Sequence, residues 1–137
     1  MFKISFNFVK VKVKSFDPGV KKTWIKNCIV DLGYPCCDLS YVFVTDEELC
    51  EMNLKYLSHD TLTDIITFDF NEKNSLSGEM YISVDRVNEN ALKFKVNPSE
   101  ELRRVMIHGV LHLAGYGDKT KGEKIRMRKL ENKYLSL

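Results

Sequence analysis

Between residues 97 and 115 the chain carries both the start and the stop signals of a helix. Asn97 is a favoured N-cap residue, Pro98 suits the first helical position, and Glu100 stands where its carboxylate can answer the cap. Gly115 marks the stop, because glycine readily takes the left-handed conformation that turns the chain off a helix. The enclosed segment is apolar enough for Met106, Ile107, Leu111 and Leu113 to be expected in a core. On that helix His108 and His112 are four residues apart and share a face, so their imidazoles can aim at one point.

The rest of the chain reads as elements packed around that helix. Phe2, Ile4, Phe6 and Phe8 alternate with polar residues, and Val9, Val11 and Val13 continue on the other parity. This predicts a first strand with a bulge or face switch near Phe8-Val9. Asp17-Pro18 caps a helix with Val20, Trp24, Ile25, Cys28, Ile29 and Leu32 at helical spacing, ended by Gly33. Leu39–Val44 is a short apolar strand, and Thr45-Asp46-Glu47-Glu48 is a capping box before Leu49, Met52, Asn53 and Tyr56. Strands are expected over Ile65–Phe70 and Met80–Val84 with an Asn/Ser/Gly-rich connection between them. Asp85 is the expected cap of a short helix holding Val87, Ala91, Leu92 and Phe94, and a last helix spans Lys121–Leu135. The order β-α-β-α-β-β-α-α-α implies an α+β fold, α/β-like, with a single mixed sheet of about four strands and the two-histidine helix central. No repeat, low-complexity tract or linker interrupts it, so one domain over residues 1–137 is expected.

Composition narrows the class. With 44% hydrophobic and 29% charged residues over 137 positions, collagen-like, disordered and membrane-spanning chains are excluded. The start Met1-Phe2-Lys3 lacks a signal-peptide pattern, and Cys28, Cys36, Cys37 and Cys50 form no CxxC pair. Reduced thiols in a cytoplasmic protein are the expectation. The net charge of +2 is uneven: residues 1–26 sum to +6, residues 27–117 to −8 and residues 118–137 to +4. Basic ends around an acidic middle suit an anion-binding rim beside a carboxylate-rich cleft, though solvated faces give the same pattern.

The chemistry concentrates at His108-Gly-Val-Leu-His112-Leu-Ala-Gly115-Tyr-Gly-Asp118. A turn at Gly115 brings Asp118 back toward the two imidazoles, giving two nitrogens and a carboxylate around one ion with an open position. Two histidines at this spacing can also be ordinary helix residues, but the glycine turn and a ligand-capable residue at the right offset favour a metal. Metzincin peptidases share the spacing and place a Glu base after the first His; here Gly109 stands there, which argues against peptidase chemistry.

This segment resembles the H-G-x-L-H-L-x-G-Y-D-H signature of the YbeY family of bacterial rRNA-maturation endoribonucleases. Two further blocks agree and fall in family order. Asn53-Leu-Lys-Tyr56 through Asp60-Thr-Leu-Thr63-Asp64-Ile-Ile-Thr-Phe68 is similar to L-N-x-x-Y-R…D-x-P-T-D-V-L-S-F, and Gly78-Glu79-Met-Tyr-Ile82-Ser83 to G-D/E-I-x-I-S. The resemblance implies a zinc-dependent endoribonuclease, one zinc per chain, acting on single-stranded RNA in 16S rRNA 3′-end maturation and ribosome quality control. The implied partners are ribosomal RNA and the small ribosomal subunit, with no membrane and with protein partners unknown. Three positions depart from the pattern: the family's third metal-binding His aligns with Asp118, the Arg after the Tyr is Leu57, and the Pro before Thr63 is Leu62. An aspartate still ligates zinc but is a harder donor and adds charge.

His108, His112 and Asp118 are therefore the expected ligands. Asp64 and Glu79 are candidate acid/base groups, against plainer roles as a loop cap and a strand end. Lys55, Arg103 and Arg104 are candidate RNA-binding cations in place of the family Arg. Lys10, Lys12, Lys14, Lys21, Lys22, Arg126, Arg128 and Lys129 could meet RNA phosphates, while His59 reads as a solvated loop residue and Tyr116 as a turn closer. Two other functions remain open: a non-catalytic ribosome-assembly or RNA-binding factor with a structural metal, and a metal-dependent hydrolase of another substrate.

Overall fold

The computed structural model describes residues 1–57, 63–72 and 74–137, residue 57 by its backbone alone. Its elements are β1 (Phe2–Phe8), α1 (Pro18–Asp31), β2 (Cys36–Val44), α2 (Asp46–Leu57), β3 (Ile65–Asp69), β4 (Ser75–Ser83), α3 (Val84–Phe94), α4 (Pro98–Leu113) and α5 (Lys121–Leu135). The order matches that expected from the sequence, and the fold is α+β. His59 and Leu62 lie outside the described residues.

The sheet has strand order β1-β2-β4-β3. The pairs β1–β2 and β2–β4 are parallel, with Phe2 beside Cys37 and Ser40 beside Glu79; β3 runs antiparallel to β4, with Ile65 beside Ile82. Because side chains alternate across a strand, each strand divides its residues between two faces. On one face Ile4, Leu39, Tyr41, Phe43, Leu76, Met80 and Ile82 pack with α1 and α4 into the main core. On the other, α2 lays Leu49 and Met52 over Val42, Val44, Ile66, Phe68 and Tyr81. Tyr41 ties the sheet to α4 through a 3.0 Å hydrogen bond from its hydroxyl to the Met106 carbonyl. Helices α3 and α5 pack on α4, and α5 closes back on α1, where Trp24 Nε1 donates to the Tyr134 carbonyl at 2.7 Å. No described helix is long and apolar enough to cross a membrane.

The differences from the sequence reading are local. Strand β1 stops at Phe8, and Lys10 turns the chain with φ 60°, so Val11 and Val13 reach the core from irregular backbone rather than from a continued strand. Strands β2 and β4 start earlier than expected, because Cys36, Cys37 and Asp38 pair with Ser75, Leu76 and Ser77, whose polar composition reads as loop until a partner is present. Gly78 serves β4: a Cβ there would lie 2.6 Å from the Phe68 carbonyl and 2.9 Å from Leu113 Cδ2. Ser83, not Asp85, caps α3, accepting from the Arg86 N–H at 3.0 Å; Asp85 instead accepts from the Asp46 N–H at the start of α2. All four cysteines are free, and burial pushes the Cys28 thiol up to about 12 and the Cys37 thiol to about 11.

Candidate metal centre

Helix α4 begins as its sequence requires, with Asn97 accepting from the Ser99 N–H at 2.8 Å and Pro98 in the first turn. Its seat on the sheet depends on Gly109, where a Cβ would stand 2.6 Å from Met80 Sδ and 2.9 Å from Ile65 Cδ1. The position after the first histidine thus faces the sheet, with no room for a catalytic carboxylate. The same rotation leaves His108 and His112 half-buried at the helix edge. At the end of α4 the Gly115 N–H donates to the His112 carbonyl and the Tyr116 N–H to the Leu111 carbonyl, both at 3.0 Å. This is a Schellman closure around Gly115 at φ 99°. Asn71 pins the turn by donating to the Leu113 carbonyl at 2.7 Å.

The closure returns Asp118 to the histidines. Its Oδ2 lies 3.3 Å from Nε2 of each ring, and the two Nε2 atoms are 2.9 Å apart. Zinc binds such donors at about 2.0–2.2 Å in a tetrahedron, which sets neighbouring donors about 3.4 Å apart. The three atoms stand near that spacing, and together they could hold a metal ion.

A fourth residue orients the set. His108 Nδ1 lies 2.7 Å from Oε2 of Glu131 on α5, and Arg104 donates to its other oxygen at 3.1 Å. With Nδ1 donating to a carboxylate, the neutral imidazole presents its Nε2 lone pair to the cluster, the carboxylate–histidine arrangement that supports metal ligands. Glu131 is only 6% exposed. Burial works to raise its carboxyl, but His108 and Arg104 hold it below the usual carboxylate range. For His108, burial favours the neutral ring, yet Glu131, Asp118 and Asp64 outweigh it and raise the ring above the ordinary histidine value.

These groups open onto a cleft of about 330 Å³ whose lining includes Asp64, Glu101, Arg104, His108, Asp118 and Glu131. Burial pushes the Asp64 carboxyl up, opposed by His108 and aided by Glu131. Of the other expected residues, Arg104 and Arg128 join them, both beside Glu131. Glu79 sits opposite Phe68 on the face covered by α2, because its neighbours Gly78 and Met80 face α4. Lys55 is on α2, with its ammonium 5.3 Å from the Tyr56 ring centroid. Arg103 stacks 5.5 Å over Trp24 and donates to the Leu135 carbonyl, a structural tie to α5. Glu131 is not among the residues expected from the sequence, although Met127, Glu131 and Tyr134 share one buried helical face. A carboxylate at that spacing is the signal that could have found it.

Comparison with known proteins accords with this geometry. The profile of the family described as Endoribonuclease YbeY matches residues 7–137. An endoribonuclease YbeY of Parabacteroides distasonis is 45% identical over 124 residues, covering 88% of this chain and 87% of its own. That of Flavobacterium psychrophilum is 42% identical over 134 residues, covering 98% and 95%. A solution structure of a Thermotoga maritima protein is similar with TM-score 0.65 at 26% identity, covering 99% of this chain and 87% of that one. A match that runs from β1 through α5 at these identities leaves one conclusion: the chain belongs to the endoribonuclease YbeY family.

Proposed function

We propose that this chain is a zinc-dependent endoribonuclease, one domain over residues 1–137, holding one zinc through His108, His112 and Asp118. Its substrate is single-stranded RNA, cut in the late 3′-end maturation of 16S rRNA on the small ribosomal subunit and in ribosome quality control in the cytoplasm. The observation that carries this reading is the cluster of two Nε2 atoms and one carboxylate oxygen within 3.3 Å, braced from behind by Glu131. When bound there, a divalent metal supplies Lewis acidity toward a phosphoryl oxygen and lowers the pKa of a coordinated water.

The chain's own residues do the rest. Glu131 holds His108 in the tautomer that faces the cluster. Asp64, whose carboxyl is pushed up by burial, lines the cleft and is the group assigned to proton transfer. Arg104 adds a cation beside them, although its hydrogen bond to Glu131 occupies part of its guanidinium. That contribution matters because the family's Arg position is Leu57 here. Asp118 adds a negative charge in place of an imidazole, which favours cation binding and a harder metal than a three-histidine site.

The test is metal content and cleavage of a small-subunit rRNA precursor by wild type and His112→Ala. Metal supplies several kcal/mol to such reactions, so cleavage is expected to fall by about a thousandfold or more with the fold retained. Wild type that carries stoichiometric zinc, binds RNA and never cleaves it would instead establish a non-catalytic RNA-binding factor, the role that Leu57 favours.

A further inference from the structure

A cleft of about 640 Å³ is separate from the metal centre. It lies between the β1–α1 connection, the first half of α3 and the start of α4, and its polar lining includes Lys12, Lys14, Lys21, Asn88, Asn97 and Ser99. Three lysines line it and, among the described residues, no carboxylate. Lys21 is the unusual member, being 8% exposed. Among the described residues its ammonium meets the Phe16 ring, 5.3 Å to the centroid, and no carboxylate within ion-pair distance. A buried ammonium without a paired anion costs stability. An anion bound in the cleft would complete this charge and stabilise the folded chain. The start of α4 adds the positive end of a helix dipole to the same cleft.

We propose that the Lys12–Lys14–Lys21 cleft is an anion subsite that holds a phosphodiester group of the substrate RNA. The inference deepens the nuclease reading and rests on it. The metal cleft carries four carboxylates, Asp64, Glu101, Asp118 and Glu131, against two guanidiniums, Arg104 and Arg128, that are paired with Glu131, so it offers a polyanion little net attraction before metal is bound and a second cationic surface would add affinity for RNA. The lysine cleft supplies it on the same helix: Ser99 precedes His108 by nine residues, about 14 Å along α4 at 1.5 Å per residue. A volume of about 640 Å³ exceeds what a lone phosphate fills and falls in the range of nucleotide-sized ligands.

The experiment is a titration of the zinc-loaded full chain with a fluorescein-labelled single-stranded RNA oligonucleotide, by anisotropy, over about 50–200 mM salt. Every lysine–phosphate pair removed makes the slope of log K against log salt shallower by about 0.7 on a single strand. The double variant Lys12→Ala/Lys14→Ala is expected to flatten the slope by about 1.4, and Lys21→Met by about 0.7. Lys21→Met is also expected to melt about 2–5 °C higher than wild type, since an unpaired buried charge is gone. Lys3→Ala, on the uncovered face of β1, is the control for bulk charge. Wild-type affinity and slope in both cleft variants overturn the proposal, as does an equal loss in Lys3→Ala. If RNA binding is unchanged but inorganic phosphate raises the melting temperature of wild type and not of Lys21→Met, the cleft takes small anions and the assignment to RNA fails. Should Lys21→Met not fold, the exposed pair Lys12 and Lys14 decides. Wild type that binds RNA through these lysines without cleaving it overturns the nuclease reading alone. Wild type that cleaves while the cleft variants bind as it does overturns the cleft alone.

Discussion

Glu131 and Lys21 are both charged residues almost wholly inside the molecule, at 6% and 8% exposure, and they differ in everything around them. Glu131 is met by His108 at 2.7 Å and Arg104 at 3.1 Å, so its charge is matched within the chain. Lys21 is met by an aromatic ring, with no carboxylate in ion-pair distance among the described residues, and two more lysines line the same cleft. A paired buried charge orients its partners; an unpaired one at the edge of a cleft is a demand for an outside ion. The two clefts flank one helix, α4, and differ in lining: four carboxylates, His108 and two arginines in the first, and three lysines with no carboxylate among the described residues in the second.

The contrast makes substitutions of opposite sign at the two residues. Glu131→Ala strands His108 and Arg104 without their carboxylate. Breaking a buried pair in this way is expected to cost about 3–5 kcal/mol, read by denaturant unfolding. Glu131→Gln keeps the shape and removes the charge, and zinc affinity is expected to fall about 10–100-fold by competition with a chelating dye. Unchanged affinity in that variant would reduce Glu131 to packing. Gly109→Ala bears on both clefts through their shared helix. Overpacking against Met80 and Ile65 costs about 1–3 kcal/mol, partly offset by about 1 kcal/mol of helix propensity, so a net loss near 1 kcal/mol is expected.

Lys21→Met is similar in size to Gly109→Ala and the only one expected to stabilise, by about 1 kcal/mol at neutral pH. Its pH dependence has a definite sign. Burial, with the Arg103 charge, lowers the folded-state lysine below its ordinary range, with Asp17 opposing. The unfolded chain keeps that proton until about pH 10.4, so between the two values the unfolded state binds more protons and wild-type stability rises with pH. The advantage of Lys21→Met is therefore expected to shrink from about pH 7 to about pH 10, measured by paired unfolding curves. An advantage that grows with pH would mean Lys21 is paired after all.

Most elements were legible because their determinants are local. Asp17-Pro18, Asn97-Pro98 and Thr120 with Glu123 cap the helices they announce, and α5 runs over Lys121–Leu135 as its periodicity implies. The boundaries that moved are those set by a distant partner. Ser75 and Ser77 are strand only because β2 lies beside them, and Asp85 gives up the cap of α3 to hold the start of α2. The candidate site divides the same way. His108, His112, Gly115 and Asp118 lie within eleven residues, and helix spacing with one glycine turn brings them together. Glu79, Lys55 and Arg103 have suitable chemistry but stand on the wrong face, which no short-range pattern reports.

What the sequence by itself determined is the triad and the family, because helical periodicity and a left-handed glycine are properties of a few adjacent residues. Only the tertiary structure decided the electrostatics. Glu131 reaches His108 from a helix 23 positions further on, and Lys21 is enclosed by segments from both halves of the chain. The cost of a buried charge depends on which distant groups the packing brings within a few ångströms, and that is a property of the fold.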